Sequence, residues 1–483
     1  MTASVELDDI QGIVARGYSG LTSACFLMLA ITEPAAARTA LGRAAARVTD
    51  GTAEPPDAAV NLALTADGLR GLGPVTPDLD GFSEEFVSGM TDPNRSRFLG
   101  DVADNAPAHW RWGGPATPPV HVMLMLYARD EERLARLEAE LREDLLATGG
   151  LTEVVRLATA TLTDREPFGF RDGISQPLVE GLPKTSRVVA AREGGAAAGD
   201  VVKAGEFLLG YPNEYGLLTD RPVLSAPDDP AGLLPRTQGG ADLGRNGSYV
   251  VFRQLHQDVE GFWSYLDAAT RRPDGTADAA ARDALAARMV GRWPSGAPLV
   301  HAPRQDDPRL ADDNDFGYFA TDPAGLRCPL GAHIRRAHPR DSLDPRPGSA
   351  DSVAIGRRHR ILRRGRAYGP YAAAQRPGAA AGDGAESGLH FLCLNANISR
   401  QFEFIQHTWL NNPTFNGLHD APDPLVAPRH DHRRTFTEQG RPLRTRHLDL
   451  PRFVSVQGGA YFFLPGLRAL RYLCAATPAG GRR

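Results

Sequence analysis

Val120–Leu146 reads VHVMLMLYARDEERLARLEAELREDLL, and its two parts obey different periodicities. Val120–Tyr127 is an unbroken apolar run of strand length. The stretch after it spaces leucines by three and four among alternating charges, the pattern of an amphipathic helix with one buried stripe. An apolar run leading directly into a helical pattern recurs elsewhere. Ala24–Ile31 precedes Glu33–Arg47, Ser248–Leu255 precedes DVEGFWSYLDAA, and Leu389–Leu394 precedes ISRQFEFIQHTWL. Ala460–Leu464 followed by LRALRYLC adds a late strand and a terminal helix. Strands and helices mixed at these spacings predict an α+β fold in two halves, each an antiparallel sheet with helices on one face.

The stretch EGGAAAGD (Glu193–Asp200) reads as an exposed loop or linker, and Pro227–Asn246 and Pro377–Gly388 read as surface loops. The expected organisation is an N-terminal domain over 1–190, linker and long loops over 191–246, and a C-terminal domain over 247–483.

With 483 residues, 42% hydrophobic and 23% charged, the chain has globular composition. A net charge of -4 gives no basic footprint for nucleic acid. Only Lys184 and Lys203 among the basic residues are lysines, a bias that points to a GC-rich coding sequence. Cys25, Cys328, Cys393 and Cys474 stand far apart with no CxxC pair, which disfavours a thiolate metal site or a disulfide framework. The N-terminus is acidic, and no apolar run approaches membrane-spanning length, so a cytoplasmic protein is expected, without a membrane or nucleic-acid partner.

Walker, HExxH and GxSxG motifs are absent; GLRGLG (Gly68–Gly73) follows a helical pattern and reads as a helix end. Three segments are richer. FGFRDGISQP (Phe168–Pro177) places a carboxylate in a tight loop between glycines, although Asp172 alone reads as an Asx-turn residue. RCPLGAHIRRAHPR (Arg327–Arg340) offers a histidine beside a dense arginine set; His333 and His338 do not share a helical face, so a two-histidine metal site is not indicated. A single histidine suits haem iron, because the porphyrin supplies the equatorial nitrogens. RRHRILRRGRAYG (Arg357–Gly369) sets an apolar pair between arginine clusters.

GFRDG, CPLGAHIRR, HRILRRG and GLHFLCLNANISRQFEFIQ occur in this order, together with DDIQGIVARGY and GEFLLGYPNEYG. In this the chain resembles the dye-decolorising haem peroxidases, of the larger bacterial and fungal-like branch, over nearly its whole length. The resemblance implies tandem ferredoxin-like domains with haem b held mainly in the C-terminal half. It also implies hydrogen peroxide and an organic reductant, such as a dye or phenol, as substrates. By motif, His333 is the implied iron ligand, Asp172 the distal acid–base residue and Arg363 the distal arginine, with Arg364 its neighbouring competitor. Leu389 and Phe391 match the apolar residues that the resemblance places over the distal side, and their period-two spacing puts both on one strand face. The resemblance also implies Gly173, Ile174 and Ser175 along the haem edge, with Arg335 and Arg340 as candidates to pair with propionates. Asp423 is the expected carboxylate on the second nitrogen of His333, with Glu403 as runner-up. Trp263, Tyr318, Tyr368, Tyr371 and Trp409 are candidate surface relays for electrons from large dyes. The competing functions are a haem-handling protein and a pathway-specific haem oxidase.

Overall fold

In the computed structural model, which describes residues 4–73, 79–191, 201–370, 386–428 and 434–475, the apolar runs form the centre of a sheet buried on both faces. In the N-terminal half β1 (Ser23–Ile31), α1 (Pro34–Ala45), β2 (Ala58–Leu64), β3 (Val122–Ala128), α2 (Glu131–Leu146) and β4 (Leu151–Ala158) follow one another. Their strands pair antiparallel in the order β2–β3–β1–β4, the ferredoxin-like arrangement.

The C-terminal half repeats the plan with β5 (Ser248–Gln257), α3 (Val259–Ala269), α4 (Ala279–Val290), α5 (His333–Ala337), β6 (Leu362–Arg363), β7 (Arg366–Tyr368), β8 (Gly388–Asn395), β9 (Val454–Leu464) and α6 (Leu467–Cys474). Here the order is β6–β8–β5–β9, with β7 also on β8. Two wide-turned helical stretches, Ser399–Glu403 and Ile405–Leu410, follow β8.

The sequence predicts a separate sheet in each half, but among the described residues the two join into one nine-stranded sheet, because β9 pairs with β2 at Phe463 and Leu64. Joining two edge strands satisfies backbone groups that either sheet alone would leave open. In β1, Cys25, Leu27 and Leu29 enter one core and Ala24, Phe26 and Met28 the other. A strand apolar on both faces reads as a continuous run, which is why no polar alternation marks it.

Helices cover the first face. Asp130 accepts the backbone N–H of Arg133 at the start of α2, and Leu134, Leu137, Leu141 and Leu145 form its buried stripe. The second face is covered by Ile10, Ile13, Val14 and Tyr18, and by Val202, Phe207, Leu208 and Tyr211. From Val201 onward the expected linker segment therefore packs into a core. Within Pro227–Asn246, Leu234, Ala241 and Leu243 are buried as well, which corrects the reading of that stretch as surface loop. Glu193–Asp200 and most of Pro377–Gly388 lie outside the described residues. Among the described residues no helix is long and apolar enough to cross a membrane.

On the helical face of the C-terminal half, Arg253, Leu255 and Gln257 of β5 line a cavity with Leu389 and Phe391 of β8 and Val454 and Val456 of β9.

Candidate active site

The cavity measures about 320 Å³ and is bounded by the sheet, by α5 and by the loop that follows β4. That loop carries Asp172. Gly169 and Gly173, at φ of 99° and 82°, supply the left-handed positions its turns require, and a Cβ at Gly173 would meet no atom within 4 Å. The Asp172 Oδ1 accepts N–H groups from Gly173 at 2.6 Å and from Nη1 of Arg363 at 2.8 Å. Burial works against the charged carboxylate, but the Arg363 guanidinium and the Gly173 amide outweigh it and hold Asp172 below its usual range.

The competition between Arg363 and Arg364 is resolved by strand alternation. Arg363 lies opposite Cys393 on β8 and faces the cavity. Arg364 turns to the other face, where it donates to the carbonyls of Ile13 and Val14. Leu389 and Phe391 sit in register with Leu255 and Arg253 and line the cavity, as do Gly173, Ile174 and Ser175.

His333 opens α5. Its Nδ1 lies 2.9 Å from Oδ2 of Asp423, a carboxylate that is itself fully buried. The other Asp423 oxygen accepts the backbone N–H groups of Leu425 and Val426. The imidazole is thus held through one nitrogen, leaving Nε2 for a ligand. Glu403, the alternative carboxylate, instead accepts hydrogen bonds from Arg95 and the Tyr461 hydroxyl.

One arginine departs from expectation. Arg335 is 1% exposed and points away from the cavity, donating to the Asp322 carboxylate and to the Cys328 and Asp322 carbonyls. Two residues along a helix is a rotation of about 200°. A side chain two after His333 therefore faces the opposite way. It serves the fold, and Arg335→Met, which leaves Asp322 buried without its cation, is expected to cost about 3–5 kcal/mol in urea unfolding.

Arg340 does line the cavity, donating to the carbonyls of Asn314 and Phe316. Beside it stand three residues whose part in the site was not foreseen. Arg292 donates to the carbonyls of Gly296 and Asp313; burial and the nearby Arg340 charge push its pKa down to about 10. Arg360 donates to Nε2 of His338 at 2.9 Å, and Nδ1 of that ring lies 3.3 Å from the Ser175 hydroxyl. Burial and Arg360 hold His338 well below its usual pKa, so it is neutral. Arg360 and His338 stood within the quoted motifs, but Arg292 had no local signal.

Of the aromatic candidates, Trp263, Tyr318, Trp409 and Tyr368 are all buried, at most 9% exposed, which removes them from the surface role expected of them. Tyr371 lies outside the described residues.

The set suits the group that the sequence resemblance implies. Asp172, Arg363 and His333 lie deep in the molecule, yet their side chains remain 46%, 33% and 28% accessible, because they open onto the cavity. The His333 imidazole, held by Asp423 through its other nitrogen, an apolar wall of Leu255, Leu389 and Phe391, and a group of guanidiniums match the iron, the ring and the carboxylates of haem respectively.

No family model matches the chain. It is 31% identical to the dye-decolorizing peroxidase msp1 of Mycetinis scorodonius, over 97% of this chain and 88% of that protein. It is 30% identical to a multifunctional dye peroxidase, DyP2, of an Amycolatopsis species, over 86% and 82% respectively. Among solved structures, a fungal DyP-type peroxidase from Auricularia auricula-judae superposes with a TM-score of 0.75 at 26% identity, covering 98% of this chain and 100% of that one. A dye-decolorizing peroxidase in complex with 2,6-dimethoxyphenol gives the same values.

Proposed function

This chain belongs to the dye-decolorising peroxidase family, and from that premise we propose that its cavity holds haem b, with His333 as the residue that would bind the iron and Asp172 and Arg363 as the reacting pair. The enzyme is a haem-dependent peroxidase, and the substrates we assign are hydrogen peroxide and an organic reductant of the dye or phenol class. Arg292, Arg340 and Arg360 are the cations we assign to the propionates, replacing Arg335. Haem, when bound, supplies the iron at which peroxide is reduced and through which electrons are drawn from the reductant.

The chain's own residues move the proton. The Asp172 carboxylate accepts it from one peroxide oxygen and returns it to the other as the O–O bond opens. The Arg363 guanidinium stabilises the negative charge on the departing oxygen. Asp423 keeps the His333 ring oriented and its Nε2 electron-rich. Leu255, Leu389 and Phe391 exclude bulk water, so that Asp172 is the base at hand.

The observation that carries this reading is the 2.8 Å contact between Arg363 and Asp172 in the same cavity as His333. A protein that only carries haem needs no such pair. The expected result is a Soret band that survives dialysis and steady-state oxidation of a phenol or dye that depends on added peroxide. Full haem loading without turnover would establish haem handling instead.

A further inference from the structure

Besides Asp172 and Asp101, which pairs with Arg253, a further carboxyl lines the cavity and has no part in the reaction as derived above. Glu166 lies ahead of Asp172 on the same loop. Its Oε1 accepts the backbone N–H of Phe170 at 2.9 Å, and its Oε2 accepts that of Phe168 at 3.0 Å. The Glu166 N–H donates to the Phe170 carbonyl, and the Gly169 N–H to the Glu166 carbonyl. The turn that delivers Asp172 is therefore closed from inside by this one side chain.

The carboxyl also reaches across the molecule. Nε2 of Gln257, the last residue of β5, donates to Oε2 at 2.8 Å. Glu166 thus ties the loop, which comes from the N-terminal half, to the sheet of the C-terminal half. Among the described residues it has no ion-pair partner; its contacts are neutral N–H donors. Oε1 of the same Gln257 amide is buried and accepts no hydrogen bond.

An ionised carboxyl accepts from the amide nitrogen, as found here. A protonated one donates to the amide oxygen once the amide turns over, and the orphaned Oε1 is the acceptor that this second arrangement uses. We propose that Glu166 is a positioning residue for Asp172: its carboxyl and the Gln257 amide form a brace between the two halves whose hydrogen bonding changes when a proton is gained or lost. The inference rests on the reading of Asp172 as the acid–base residue. Burial pushes Glu166 up to about 7, and the Asp172 charge adds to the rise. The brace is therefore protonated in acid and ionised above neutrality. Of the charged groups that line the same cavity, Asp172 acts on it directly; the others are Arg171 on its own loop, Asp101 and its partner Arg253 on β5, Arg363 on β6, His333 on α5, and Arg292, His338, Arg340, His359 and Arg360.

The test uses haem-loaded wild type, Glu166→Gln and Gln257→Ala. Amide hydrogen exchange of the 166–172 segment, corrected for intrinsic pH dependence, is expected to slow in wild type between pH 6 and 8, as the ionised carboxyl grips both loop amides. In Glu166→Gln it should be flat. The rate of reaction with peroxide in wild type should inflect near pH 7. Glu166→Gln should lose that inflection and about 10- to 100-fold in rate, the scale of losing an orienting partner. In Gln257→Ala the inflection should move to higher pH, since a donor that favours the ionised form is gone. Persistence of both the inflection and the exchange change in Glu166→Gln, or an unmoved inflection in Gln257→Ala, overturns the proposal. Asp172→Asn separates the two readings: it should keep the exchange change while losing the reaction. If it reacts normally, the assignment of Asp172 fails and the brace stands as a loop device.

Discussion

His333→Ala is expected to leave a purified protein whose Soret band disappears on dialysis. Its Nε2 is the donor we assign to iron, while Nδ1 is occupied by Asp423. Asp423→Asn keeps that donor but weakens its orientation, and haem affinity should fall by about 10- to 100-fold. His333→Ala should fall further than that. His338→Ala tests the assignment from the other side. That ring is engaged at both nitrogens, by Ser175 and by Arg360, and its removal should leave the Soret band in place. Haem titrations of the three variants decide the matter, and a reversed order for the two histidines would transfer the iron-binding role to His338.

The second large effect is on the reaction with peroxide. Asp172→Asn cannot accept a proton, and a positioned general base is worth about 10²–10⁴-fold. Arg363→Leu removes a charge-stabilising donor, a loss of about 10²–10³-fold. The ranges overlap, so rate alone does not separate the roles, whereas the sign of a second measurement does. Arg363→Leu takes a positive charge from the cavity and should weaken azide binding. Asp172→Asn takes away a negative charge and should not weaken it on that account. Because Arg363 holds Asp172 below its usual range, Asp172 stays ionised into acid, and the proton transfer it performs should continue below the Glu166 inflection, at the reduced rate that inflection sets. Its loss on acidification should begin at higher pH in Arg363→Leu, where that support is missing. Stopped-flow mixing with peroxide across pH, with azide titrations, reads all of this; wild-type rates in both variants would remove the pair from the chemistry.

Much of the architecture was legible because it rests on local patterns. The apolar runs that became β1, β3, β5 and β8 are strands because they are short and buried on both faces, and the leucine spacing of α2 survives unchanged in the fold. The junction of β2 with β9 was not legible, since an edge pairing between residues 64 and 463 leaves no mark on either segment. The same division runs through the site. Period-two reasoning placed Leu389 and Phe391 on the cavity wall and, applied to neighbours, separates Arg363 from Arg364. The resemblance implies Arg335 as a propionate partner, but helical rotation turns it away from the His333 side and onto Asp322. Arg292 and Glu166 carry no signature of their own in the sequence, yet both line the cavity. Exposure was the other blind spot, for a tryptophan such as Trp263 looks the same in sequence whether it lies at the surface or, as here, fully buried.

The strand β9 is the last of the sheet, and it both joins the halves at Phe463 and closes the cavity with Val454 and Val456. During synthesis, which runs from the N-terminus, Asp172, His333, Arg363 and Asp423 all leave the ribosome before it. A nascent chain therefore holds every reactive group before it has a walled chamber to put them in. Haem loading is accordingly expected to follow synthesis of this strand, and a chain that stops short of residue 454 would carry the reactive groups without the wall that Val454 and Val456 supply.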